Sequence, residues 1–252
     1  MTSTRRDGRS PQEYRPIGMS FDGLARADGS ARFGFSTTTA LASVSGPIEV
    51  KSVSENPSQA LFEVLIRPLS NVPGTEAKSM AAIIRGLLIP SLLLGHNPRT
   101  LIQLVIQSLS SPRGVWKAGI YAAMINASTL ALLNAGSVPM RGVICAIPVA
   151  RIVQGQSTVL VVDPSEEEEA AIQGGGCFAF MFAFGLKGGG DTNCVWANWS
   201  STKSVGGVSD ELELVAAKEL AKKAAKSVWD AMKERLDPDY LSRMETDEDG
   251  DS

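Results

Sequence analysis

"GVWKAGIYAAMINASTLALLNAG", residues 114–136, reads as a glycine-marked turn that enters a helix of small and apolar residues. A turn of this kind feeds backbone N–H groups into a helix N-terminus, a natural place to hold a phosphate or another anion. Such a pocket also wants a hydroxyl and a fixed cation, and the three residues placed to supply them are Gly119, Ile120 and Tyr121. The helix is expected from about Ala118 to Asn134, ending at Gly136, a residue suited to a C-cap.

On the N-terminal side of this stretch, Ala31 to Phe35, Thr39 to Val44, Ile48 to Val53 and Leu61 to Pro68 have the alternation of strands. From Thr75 the apolar residues Ala77, Met80, Ala81, Ile84, Leu87 and Leu88 recur at helical spacing, with Pro90 as a kink. Arg99 to Leu109 returns to strand. On the C-terminal side, Val143 to Ile147, Ala150 to Val153 and Ser157 to Val162 are strands, and the glycine runs around an apolar strand, Cys177 to Leu186, suggest a hairpin with a long loop reaching residues 190–196. A last amphipathic helix starts near Ser209 and Asp210 and stops before Pro238. Strands and helices in this order predict an α+β fold in two lobes of mixed sheet packed with helices. The expected divisions are a polar lead (1–13), an N-terminal lobe (14–148), a C-terminal lobe (149–236) and an acidic tail (237–252).

Composition narrows the chemistry. At 252 residues, 44% apolar and 20% charged, the chain is an ordinary globular mixture. No run of 18 uninterrupted apolar residues is present, and residues 1–9 are polar where a signal peptide needs an apolar stretch, so an intracellular protein is expected. Cys145, Cys177 and Cys194 are odd in number and irregular in spacing, which fits neither a disulfide framework nor a zinc knuckle. His96, the single histidine, lies in the loop signature Gly95-His96-Asn97-Pro98, so neither a His-based engine nor a metal or other cofactor is expected. Glu245, Asp247, Glu248, Asp249 and Asp251 load the tail with acid; without them the net −3 becomes +2. A nearly neutral body is not the basic surface of an autonomous nucleic-acid binder, so RNA contact would need a local patch or partner subunits.

Five segments together carry a resemblance: "RRDGRSPQEYRPI" (5–17), "ADGSARFGFSTTTALASVSGPIE" (27–49), "PRTLIQLVIQ" (98–107), "NAGSVPMRGVICAIPVARI" (134–152) and "VLVVDPSEEEE" (159–169). In order and separation they resemble the ribonuclease PH family over roughly residues 5–235. "FEVLIRPLSNVPGTEAKSMAAIIR" (62–85) followed by "HNPRT" is most similar to the family's eukaryotic exosome ring subunits. The resemblance implies a ribosomal-protein-S5-like α+β fold duplicated in the chain. It also implies assembly with other ribonuclease PH-like subunits into a hexameric ring around an RNA channel, with S1/KH cap subunits and exosome nucleases as further partners, in nucleus, nucleolus and cytoplasm.

Active members of the family break RNA with inorganic phosphate. A Gly-Ser/Thr-Arg turn at a helix head holds the phosphate, paired arginines hold RNA, and two aspartates six residues apart lie beside the scissile bond. Such cations matter because the transition state brings two anions together. Here the turn falls on Gly119, Ile120 and Tyr121, so the hydroxyl and the arginine are absent, and the arginine pair falls on Thr75 and Glu76. Asp163 matches the first aspartate, and Glu169 stands six residues on. Each lost charge-assisted contact costs about 1.5–3 kcal/mol in binding, and an arginine on a phosphoryl transition state contributes roughly 10³ or more in rate. The expectation is therefore a pseudo-enzyme with no catalytic residues, serving as a structural exosome subunit in 3′-to-5′ RNA processing and decay. The alternative is a nuclease, phosphorolytic or Mg²⁺-dependent, using Asp163 and Glu169. Arg113 and Lys117, flanking the turn, are the candidates for RNA contact.

Overall fold

The computed structural model describes residues 5, 7–49, 56–70, 72–111, 116–154, 157–183, 192–201 and 208–236. Two five-stranded sheets share one helix. The first sheet contains β1 (Ile17–Ser20), β2 (Gly29–Phe35), β3 (Thr38–Glu49), β4 (Leu61–Arg67) and β5 (Thr100–Ser108), in the order β1-β2-β3-β5-β4. Only β4 and β5 run parallel, joined through α1 (Thr75–Leu88). In β4 the alternation predicted from "LFEVLIR" holds: Phe62, Val64 and Ile66 are buried while Glu63, Leu65 and Arg67 are exposed.

The second sheet contains β6 (Gly142–Gln154), β7 (Ser157–Val162), β8 (Ile172–Ala183), β9 (Thr192–Ala197) and β10 (Ser200–Ser201). Its order is β10-β8-β6-β7, with β9 also pairing β8, and every pair is antiparallel. α3 (Val208–Leu236) lies against β6, β7 and β8. Between the sheets runs α2 (Ala118–Ala135), which packs on β2, β3 and β5 of the first and on β6 and β8 of the second. Fourteen of its 18 residues are buried, because a helix apolar all round must be covered all round. By length and composition it could cross a membrane, but here it is the common core of both halves.

Its few polar residues are explained by β6. That strand pairs with β7 only from Val149 onward, so its backbone edge before that point needs other partners. Asn126 supplies two, donating from Nδ2 to Ala146 O (2.9 Å) and accepting from Ala146 N (2.7 Å), and Thr129 Oγ1 donates to Ile144 O (2.8 Å). Close approach is needed on the opposite side: a Cβ on Gly29 would lie 2.5 Å from Ala131 O and Ala135 Cα. α2 ends at Gly136 with φ +62°, the left-handed cap expected there.

Several expectations are corrected. Ile17–Ser20 forms a strand, pairing with Arg32–Phe35, in a stretch where no strand was read. The two strands read between residues 143 and 153 are one, β6, so the lobe boundary at 148/149 falls inside a strand. The strand read from Cys177 begins earlier, at Ile172, and takes in Gly174–Gly176, and Thr192–Ala197 is strand β9 rather than loop. Two of these glycines lie where β8 is crowded: a Cβ on Gly175 would sit 2.5 Å from Val149 O, and one on Gly176 2.5 Å from Asn198 O. Pro90 does not kink α1 but follows it, in a 3₁₀ turn at Ile89–Ser91. Residues 50–53 of the third predicted strand, residues 184–186 and the tail 237–252 lie outside the described residues.

Candidate functional site

The predicted phosphate turn opens α2, and its three residues have divergent fates. Gly119 and Ile120 are buried, and Ile120 faces the core where a hydroxyl was needed. Tyr121 turns instead toward α1. Its hydroxyl donates to Glu76 Oε1 at 2.8 Å, and Lys117 Nζ donates to both oxygens of the same carboxylate at 2.6 Å. Thus Glu76, which stands where an RNA-binding arginine was expected, is met by two groups from the head of α2. The hydrogen bonds from Lys117 and then Tyr121 hold the Glu76 carboxyl below the usual carboxylate range. Burial, with the Glu76 carboxylate beside it, pushes the Tyr121 phenol up. The Lys117 and Glu76 side chains are 38% and 58% exposed, so the pair adds little stability; its effect is to cancel charge.

Lys117, a candidate for RNA contact, is therefore occupied by a carboxylate. Arg113, the other candidate, lies outside the described residues. Beside the triad opens a cavity of about 450 Å³ with Ile66, Leu69, Met80 and Met124 in its walls. At the turn itself, between Arg15, Thr38, Gly119, Ile120 and Glu169, only about 30 Å³ remains. That is the volume of roughly one water molecule.

The two carboxylates are not brought together as an equivalent pair. Asp163 is completely buried, with φ +45°, and its oxygens accept from Arg15: Nη2 to Oδ1 at 2.8 Å, Nε to Oδ2 at 2.8 Å, and the backbone N to Oδ2 at 2.9 Å. Such a forked, desolvated pair is a structural lock. Glu169 opens a 3₁₀ turn, Glu169–Ala171, and lines the small cavity that Arg15 and Glu166 also line. Partial burial and then the Glu166 charge raise its pKa, against the pull of Arg15. Among the described residues no group of three His, Cys, Asp or Glu side chains is placed to hold a metal ion.

Residues not singled out in the sequence complete the lock. Arg5 Nε donates to Glu168 Oε1 (2.9 Å), and its Nη1 and Nη2 donate to Val162 O and Asp163 O (2.7 and 3.0 Å). Arg9 Nη1 donates to Asp163 O at 3.1 Å. Burial opposes ionisation of Glu168, but the Arg5 guanidinium and the Ser165 N–H leave its carboxyl below the usual range. An acidic run reads as a solvated face, and Glu166 and Glu167 are exposed, yet Glu168 is 3% exposed. The available signal was the cluster Arg5, Arg9 and Arg15 in a short lead, too many cations for a segment with no function of its own.

Comparison with known proteins agrees with this architecture. A family profile described as "3′ exoribonuclease family, domain 1" (RNase PH) matches residues 13–137. The exosome complex component Rrp41 of Thermococcus onnurineus is 33% identical over 250 residues, covering 96% of this chain and 91% of that protein. The exosome complex component rrp46 of Schizosaccharomyces pombe is 37% identical over 124 residues, 49% of this chain and 53% of that protein. The crystal structure of rice Rrp46 superposes with a TM-score of 0.72 at 24% identity, over 92% of this chain and 100% of that one. With this similarity to Rrp41 and Rrp46 components and an α+β fold of the expected kind, the chain belongs to the ribonuclease PH type of the 3′ exoribonuclease family.

Proposed function

We propose that this protein is a non-catalytic wall subunit of an RNA exosome core, pairing with other ribonuclease PH-type chains in a ring that threads RNA for 3′-to-5′ processing and decay. S1/KH cap subunits and exosome nucleases are its wider partners, and nucleus, nucleolus and cytoplasm its locations. The relatives described as exosome components support the assembly. The observation that carries the lack of catalysis is the Glu76–Lys117–Tyr121 triad. The groups at the former anion site hold one another and leave no free cation there among the described residues. Phosphorolysis requires positive charge aimed at the transferring phosphoryl group, and none of these three side chains supplies it.

The Mg²⁺-dependent alternative has less support from the same geometry. Asp163 gives both oxygens to Arg15 and is shielded from solvent, whereas a magnesium ion needs converging, accessible oxygens. The test is incubation of the pure full-length protein with a 5′-labelled single strand, inorganic phosphate and Mg²⁺. The expected result is intact RNA. Phosphate-dependent release of nucleoside diphosphates that co-purifies with the protein would overturn the reading.

A further inference from the structure

α3 turns Ala217, Ala221, Ala224, Ala225, Val228 and Met232 into the core. Its outer side between residues 218 and 226 is positively charged. Lys218, Lys222 and Lys226 recur at i, i+4 and i+8, so they form one stripe along the helix, and Lys223 stands beside it. All four are exposed, and none forms an ion pair among the described residues. Elsewhere the cations are answered: Arg5 by Glu168, Arg15 by Asp163, Lys117 by Glu76, Arg151 by Glu213 and Lys233 by Asp230. Glu219 is the one acid between residues 214 and 229, so four lysines less one glutamate leave the stripe at +3.

A matching anion is in the same chain. Residues 245–251 hold five acids and no base, and they follow α3 after the link 237–244. At about 1.5 Å per residue, Lys226 stands about 15 Å and Lys218 about 27 Å before Leu236 along the helix. Glu245 is nine residues past Leu236 and Asp251 is fifteen. Flexible chains of those lengths have root-mean-square reaches of about 15–18 Å and 19–23 Å, and fifteen extended residues span about 50 Å. Effective concentration is greatest where the reach of a link matches the distance to its site, as it does here. Pro238 cannot continue the helix, so the acids need not be carried onward along its axis. RNA seeks arginine forks and aromatic faces for its bases, and the exposed residues within 211–227 include neither. An acidic peptide asks only for ammonium groups in a row.

We propose that residues 245–251 fold back onto the stripe of Lys218, Lys222, Lys223 and Lys226 in their own chain, and so withhold it from the phosphates of RNA. The segment is a tethered competitor whose hold weakens as salt rises. The test uses the lone full-length chain. Carbodiimide coupling of carboxylates to amines, read by peptide mass spectrometry, should join residues 245–251 to these four lysines about fivefold more than to Lys78, which is also exposed. In about 1 M salt, where the screening length is about 3 Å, that preference should disappear. In a mixture of isotope-labelled and unlabelled protein the couplings should stay within one chain. Replacing the five acids together (Glu245→Gln, Asp247→Asn, Glu248→Gln, Asp249→Asn, Asp251→Asn) should tighten the binding of a labelled single-stranded RNA about fivefold at low salt. The gain should vanish when all four lysines are changed to Gln. Couplings spread evenly over the lysines, or formed between chains, would overturn the proposal. So would a gain of equal size with and without the four lysines, which would show general repulsion of RNA by the tail instead of cover over this stripe.

Discussion

Replacing Arg15 with Met should be among the most damaging single changes in the protein. Its side chain makes two charge-assisted hydrogen bonds to Asp163, each at 2.8 Å, and the acceptor is fully buried. Removing one member of a buried ion pair typically costs about 3–5 kcal/mol, because the remaining charge loses its partner without regaining water. Two lost bonds at about 1.5–3 kcal/mol each lead to the same range. For a chain of this size about 2–4 °C of melting temperature accompanies each kcal/mol, so the transition should fall by roughly 6–20 °C. Asp163→Asn in the Arg15→Met background should recover part of that loss, since the orphaned charge is gone. Calorimetric melts of the two single variants and the double variant at pH 7 form the cycle. A loss of under about 1 kcal/mol for Arg15→Met, or double-variant effects that simply add, would refute the view of Asp163 as a locked structural carboxylate.

Three further outcomes are expected. Glu76→Gln should release Lys117, raise single-stranded RNA affinity a few-fold and steepen its salt dependence by about one counterion; fluorescence anisotropy at two salt concentrations checks this, and an unchanged slope would count against the charge-cancelling role of the triad. Asn126→Leu should cost about 2–4 kcal/mol, since Ala146 N and O would both be left unpaired in the core, as denaturant titration would show. Glu168 has a folded-state pKa below its ordinary value, so its contribution is fully present above about pH 4.5 and is lost as the pH falls through the lowered pKa. Glu168→Gln should therefore lower the melting temperature at pH 7 and progressively less as the pH drops below 4.

The sequence was most legible where a local rule met no competitor. α2 begins and ends where its turn glycine and its left-handed cap indicate, and α1 starts at Thr75 as the periodicity requires. β1 escaped notice because four residues with two apolar positions make no pattern by themselves; its partner β2 defines it. That Gly175 and Gly176 belong to the strand could not be read locally, because what requires glycine there is the approach of Trp116 and Val149 to the one and of Asn198 to the other, a tertiary fact. The same distinction runs through the site. That Ile120, Tyr121 and Glu76 are the wrong residues for phosphate and RNA could be read directly. That Tyr121 and Glu76, 45 residues apart, compensate one another across two helices could not. Asp163 was found by its position, but its confinement depends on Arg15, 148 residues away. In the apolar strand read from Cys177 onward, Cys177 to Phe180 are 0–1% exposed and form part of the core.

The sharing of α2 has a consequence for how the chain can be divided. A fragment ending at residue 137, where the family profile ends, would keep the first sheet and the whole of α2 but remove β6. Asn126 and Thr129 would then turn their polar groups out from an apolar helix surface whose cover is gone. The complementary fragment would present the early part of β6 without the side chains that occupy its backbone. The clasp of Arg5, Arg9 and Arg15 on residues 162–168 would be severed by the same cut. The two sheets share one core through α2, so the smallest cooperative unit is the whole chain. Reporter insertions, split-protein designs and truncation series should respect that, placing breaks in surface connections within one half rather than at the seam between the two.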